Sequence, residues 1–194
     1  MTSRLWSKLR WPPAGLGLGT PLNLALASAP ERTRFARWWW LYVAAGIGAA
    51  AAIVVLDQIL FAGISAQSIR RLGAVPPLTR LGIILFSAFD EEIEYRLVVS
   101  TLVAWIAAWP LARLGPRGKA AAIWIGIVVA ALYFGFAHVG NLPNAPHPYL
   151  RAIVLNGVTG ILLGWLYWYR GLEAAILAHL AADAAIYFGV ASFI

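Results

Sequence analysis

The chain has 194 residues, 61% of them hydrophobic and 12% charged, with a mean hydropathy of +0.75. Water-soluble domains carry about a quarter charged residues, so this composition excludes an ordinary soluble fold and makes a bilayer the expected solvent. The absence of cysteine excludes disulfide scaffolds, thiolate zinc sites and cysteine nucleophiles, and a net charge of +7 in so apolar a chain favours anionic lipid over nucleic acid.

Residues 1–37 read as a basic interfacial arm. Lys8 and Arg4, Arg10, Arg32, Arg34 and Arg37 all precede the first long apolar run, where an anionic cytoplasmic leaflet attracts them. Four prolines and the Gly15 to Gly19 run interrupt this arm too often for one spanning helix. Those glycines lack the preceding strand and following acid of a dinucleotide loop. Ala27-Ser28-Ala29 imitates a signal cleavage site, but Pro21 and Asn23 break its apolar region. Trp38, Trp39, Trp40 and Tyr42 then form an aromatic belt of the kind found at membrane interfaces.

Residues 38–194 predict an all-α, polytopic transmembrane bundle in one domain. Its apolar stretches are approximately 38–63, 78–112, 119–139, 150–168 and 172–194, each long enough to cross a ~30 Å core. The second is nearly twice the needed length, so the expected number of membrane segments is five to seven. Arg113, Arg117 and Lys119 precede the third stretch, whereas residues 141–149 carry no Lys or Arg, which places the N-terminus inside. Arg70, Arg71 and Arg80 oppose that assignment. Ala44, Gly48 and Ala52 in the first stretch, and Gly160 and Gly164 in the fourth, predict close helix contacts.

The second stretch contains Asp90-Glu91-Glu92-Ile93-Glu94-Tyr95-Arg96. Four acids facing lipid would oppose insertion by roughly 10 kcal/mol, so they must face water, protein or one another. On a helix Glu92 and Arg96 form an i, i+4 ion pair. Glu91 points about 100° away, toward a face shared with Glu94 and Tyr95, and is the acid left for general-base chemistry. His138 closes the third stretch after Phe134. His179 and Asp183 share one face in the last. Ionisable groups inside apolar helices line interiors or cavities, and His147, in the Pro143 to Pro148 loop, reads as a loop residue.

Glu91-Glu92-x-x-x-Arg96, Phe134-x-x-x-His138 and His179-x-x-x-Asp183 together resemble the three-motif signature of the CPBP (CAAX protease and bacteriocin-processing, or Abi) family. Gly160 to Gly164 and Arg170-Gly171-Leu172 add to the resemblance, which covers about residues 81–190. It implies an intramembrane glutamic endopeptidase with no cofactor, acting on a membrane-associated peptide or protein in a bacterial cell membrane. By motif position, Glu91 would activate water with help from His138, and His179 with residue 183 would form an oxyanion pocket. Glu92 and Arg96 would shape the site. The usual residue at the last position is Asn, and Asp183 is its replacement here, so Asp183 either donates in protonated form or orients and charges His179. His138 ends its stretch while His179 begins its own, so they converge only where the third helix ends at mid-depth beside a wet cavity. Two other readings stay open: a metal-dependent membrane protease, although no HExxH helix exists, and a proton-coupled carrier or non-catalytic membrane protein.

Overall fold

Prolines open the helices of this chain and glycines turn them. A computed structural model describes residues 29–62, 69–71, 73–141 and 145–192. It comprises α1 (Ala29–Phe61), α2 (Pro77–Glu91), a π-helical segment (Glu92–Ser100), α3 (Thr101–Leu111), α4 (Gly115–Ala137), α5 (Pro148–Arg170) and α6 (Leu172–Ala184), with a second π-helical segment at Ala185–Gly189. Proline occupies the first turn of α2, α4 and α5, where its missing N–H costs nothing. Pro110 lies one residue before the end of α3 and stops it. Gly115 (φ +56°) and Gly171 (φ +103°) make the reversals before α4 and α6, in a region of backbone space that a side chain would strain.

No strand occurs among the described residues, in agreement with the all-α expectation. Among the described residues, four stretches are long and apolar enough to cross a membrane: Phe35–Phe61, Pro77–Asn141, Pro148–Arg170 and Leu172–Gly189. The second runs unbroken through α2, the π segment and α3, then folds back at Gly115 so that α4 packs along α3. The expectation was five to seven segments; the described residues show four apolar stretches, of which one is 65 residues long. Helix α1 begins at Ala29, inside the expected arm; the arm's residues 1–28 lie outside the described residues.

Helices α4, α5 and α6 enclose the core around Ile127, Leu163, Tyr167, Leu172 and Ala175, all fully buried. The glycine pair of α5 packs within the chain. A side chain on Gly160 would come 2.9 Å from Ala131 Cα, and one on Gly164 3.0 Å from Ile127 Cγ2, so α5 approaches α4 at backbone range. In α1 the expected Ala44, Gly48 and Ala52 stripe is not the contact face. Ala44 and Gly48 are exposed and nothing approaches Gly48. The contact falls on Tyr42, Gly46, Ala49 and Ala50, and a side chain on Gly46 would strike the Ala178 carbonyl of α6. The spacing of four was right and the register was wrong by two residues.

A buried ion pair, unread in the sequence, ties α1 to α5: Arg151 Nε donates to Asp57 Oδ1 at 3.1 Å. Opposite charges in two apolar stretches were the available signal. Arg80, one of the three cations that oppose the positive-inside assignment, has a structural use. Its Nη1 donates to Tyr187 O at 2.7 Å, and its guanidinium lies 5.0 Å over the Phe188 ring. It therefore serves a carbonyl in the irregular end of the last helix.

Candidate active site

The π segment begins one residue after Glu91, and its i→i+5 bonding sets the register of the acids. A wider turn advances less per residue, so it brings Tyr95 round to the Glu91 side and leaves Glu94 short of it. Tyr95 is buried and Glu94 exposed, as is Asp90. This corrects the expectation that Glu91 shares its face with both Glu94 and Tyr95. Thr101 Oγ1 donates to the Arg96 carbonyl at 3.2 Å and meets Tyr167 Oη at 2.8 Å, satisfying polar groups where the segment rejoins α3.

Glu92 and Arg96 are sealed inside, at 0% and 1% exposure. Arg96 Nη1 lies 3.2 Å from Glu92 Oε1, off the hydrogen-bond line, so the contact is chiefly electrostatic. The guanidinium stacks 4.6 Å over Phe134, and Nη2 reaches the Gly160 carbonyl at 3.5 Å. Glu92 has a second partner that the sequence did not reveal: His179 Nδ1 lies 2.8 Å from the same Oε1. With a carboxylate as acceptor, Nδ1 carries the proton. Glu92 is therefore the group that holds the His179 ring, and Asp183, 3.8 Å from Nε2, is beyond hydrogen-bond range of it.

Glu91, His138, His179 and Asp183 line one cavity of about 450 Å³, together with Ser87, Tyr95, Phe134, Asn156 and Thr159. Its size falls in the range of small-molecule and peptide side-chain sites. Glu91 Oε2 is 3.9 Å from His138 Nε2 and 3.8 Å from His179 Nε2. His138 Nδ1 donates to the Phe134 carbonyl at 2.8 Å, which turns Nε2 toward Glu91. Phe134 is the wall behind both imidazoles, with ring centres 4.5 Å from His138 and 6.1 Å from His179. Asp183 Oδ2 is 3.1 Å from Ser87 Oγ. His147 lies outside the cavity lining, as its loop position implied. Among the described residues, no group of three or more His, Cys, Asp or Glu is arranged to hold a metal ion.

The depth problem of His138 and His179 has two solutions in the fold. Helix α4 ends at Ala137, and His138 opens a short 3-10 turn, His138–Asn141, whose Asn141 lines the cavity. The turn at Gly171 is also set inward. Trp168, one turn before it, donates from Nε1 to Ser100 Oγ at 3.0 Å, and Ser100 lies about three helical turns before the end of α3. Starting α6 from that inset turn carries His179 up to the level of Glu92.

A family model for type II CAAX prenyl endopeptidase Rce1-like proteins matches residues 73–185. No curated protein and no solved structure matches the chain. The matched region contains all three motifs and every turn that aligns them, in agreement with the resemblance read from the sequence. With its apolar spanning helices and a family match over more than half its length, the chain is an integral membrane protein that belongs to the Rce1-like family of CAAX prenyl endopeptidases.

Proposed function

We propose that the protein is a glutamic endopeptidase that hydrolyses a peptide bond of a membrane-associated peptide or protein without a metal ion. The observation that carries this is the 3.9 Å gap between Glu91 Oε2 and His138 Nε2, a separation that one water can span with hydrogen bonds to both. Glu91 takes a proton from that water as its oxygen attacks the scissile carbonyl carbon. The carbonyl oxygen gains negative charge, and His179 Nε2 lies on the same side of Glu91, 3.8 Å away, to donate to it. Because Nδ1 already donates to Glu92, Nε2 is a donor when the ring carries both protons, a form whose charge the Glu92 carboxylate balances. Glu91 then returns its proton to the amine nitrogen as the C–N bond breaks. Glu92 and Arg96 take no part in proton transfer; they fix the ring and the helix register.

In the same reading the Pro77–Asn141 stretch crosses the bilayer twice, giving five crossings, with a cytoplasmic N-terminus in a bacterial cell membrane. Membrane lipid and a membrane-tethered peptide are the partners.

The test is cleavage of a library of lipid-tethered peptides by purified protein. Glu91→Gln and His138→Ala each lose at least ~10²-fold in turnover, the usual contribution of general acid–base catalysis, with expression unchanged. Wild-type turnover by Glu91→Gln overturns the assignment of the base. Loss of wild-type activity on chelation would favour the metal-dependent alternative, and a biological effect that survives Glu91→Gln would favour a non-catalytic or carrier role.

A further inference from the structure

Ser87 has no part in the chemistry above, yet it faces the cavity one helical turn before Glu91, on the same side of α2. Its Oγ lies 3.1 Å from Asp183 Oδ2 and 3.3 Å from the Ile84 carbonyl. A hydroxyl has one proton to give, and the Asp183 carboxyl in its ionised form is the stronger acceptor of the two. Asp183 Oδ2 stands 3.8 Å from His179 Nε2, so a small rotation of its carboxyl would bring it into hydrogen-bond range. An ionised carboxylate accepts only. Turned to His179, it would capture the Nε2–H that the proposed mechanism directs to the substrate's oxyanion.

We propose that Ser87 is a positioning residue, whose hydroxyl anchors the Asp183 carboxyl to α2 and keeps it from occupying His179 Nε2. The contact spans 96 residues of sequence and joins the face of α2 that carries Glu91 to the face of α6 that carries His179. It therefore sits where a single hydrogen bond sets the distance between a competing acceptor and the oxyanion donor. Arg80 supports the same seam from its outer end, through Tyr187 O.

This inference rests on the proteolytic reading, and a double-mutant cycle separates the two. Turnover of a cleaved lipid-tethered peptide is measured for wild type, Ser87→Ala, Asp183→Asn and the double variant. Ser87→Ala lowers kcat about tenfold, the scale of one hydrogen bond to a charged group, with KM within about twofold, because ground-state binding is untouched. In the Asp183→Asn background the same substitution changes kcat less than about twofold, since a neutral amide has no charge to draw it onto the His179 donor. Ser87→Thr, which keeps the hydroxyl, restores most of the activity. An equal loss in both backgrounds overturns the proposal, as does full activity of Ser87→Ala. A second readout does not need cleavage: the ¹⁵N resonance of His179 Nε2 in detergent-solubilised protein shifts on Ser87→Ala and not on adding Ser87→Ala to Asp183→Asn. An unshifted resonance in Ser87→Ala sinks the Ser87 role even where no peptide is cut. Cleavage that survives Glu91→Gln removes the glutamic mechanism and leaves the shift to be measured.

Discussion

Glu92 does two jobs with one oxygen: Oε1 faces both Arg96 Nη1 and His179 Nδ1. The first contact is local, at i, i+4, and was legible in the sequence. The second joins residues 87 apart, and nothing in spacing along the chain encodes it. The residues named in the sequence therefore line one site, but of the two roles left open for Asp183, donating in protonated form or orienting and charging His179, the second is taken by Glu92. Burial explains why Glu92 took that place. A carboxylate with no exposure has to be matched by more than one donor, because an unpaired buried charge costs several kcal/mol. Glu92→Ala leaves Arg96 uncompensated and lowers stability by about 3–5 kcal/mol, read as a fall in the melting temperature and yield of the detergent-solubilised protein. Glu92→Gln keeps an acceptor for His179 and loses less stability, but it lowers turnover because a neutral amide no longer balances the charged ring. An unchanged melting temperature in Glu92→Ala would show that Arg96 is held elsewhere.

Helix registers decide whether those residues meet, and here the sequence was legible in part. Periodicity located the apolar helices, yet it treats every turn as α-helical. The π segment at Glu92–Ser100 and the inset turn at Gly171 both depart from that period. A tertiary bond stands at each: Thr101 Oγ1 meets Tyr167 Oη of α5 where the π segment ends, and Trp168 Nε1 donates to Ser100 Oγ beside the turn. The same limit applies to α1, where small residues recur on both faces and only the neighbour chooses between them. Gly46 is pressed against the Ala178 carbonyl, one residue before His179, whereas Gly48 meets nothing. Gly46→Ala is therefore expected to push α1 and α6 apart, at about 1–3 kcal/mol for overpacking, and to lower turnover by shifting His179. Gly48→Ala stays within about 0.5 kcal/mol of wild type or gains slightly from better helix propensity. Parallel thermal melts of the two variants check this, and equal destabilisation would move the α1 contact to the other face.

At the scale of the whole molecule, composition dictated a membrane protein, and the remaining question is how many times and in which direction the chain crosses. The fold supplies a hairpin, α3 to α4 around Gly115, in which both arms are apolar and α4 alone is 23 residues long. At 1.5 Å per residue α4 covers ~34 Å, enough to cross a ~30 Å core. Its ends differ in charge: Arg117 and Lys119 lie at the Gly115 end, and no Lys or Arg lies between His138 and Tyr149. Arg80 no longer weighs against this orientation, since its guanidinium is engaged by Tyr187 and Phe188. Arg70 and Arg71 still oppose it by charge count, so the direction calls for measurement. The chain contains no cysteine, and single-cysteine variants can therefore be labelled without removing native thiols. Lys119 and His147 are both exposed at opposite ends of the α4 region, and Lys8 reports the N-terminal side. In intact cells treated with a membrane-impermeant maleimide, His147→Cys is expected to label, while Lys8→Cys and Lys119→Cys label only after permeabilisation. Labelling of Lys119→Cys and His147→Cys from the same side would mean that α4 does not cross, leaving four crossings. Labelling of all three sites in the inverse pattern would keep five crossings and place the N-terminus outside.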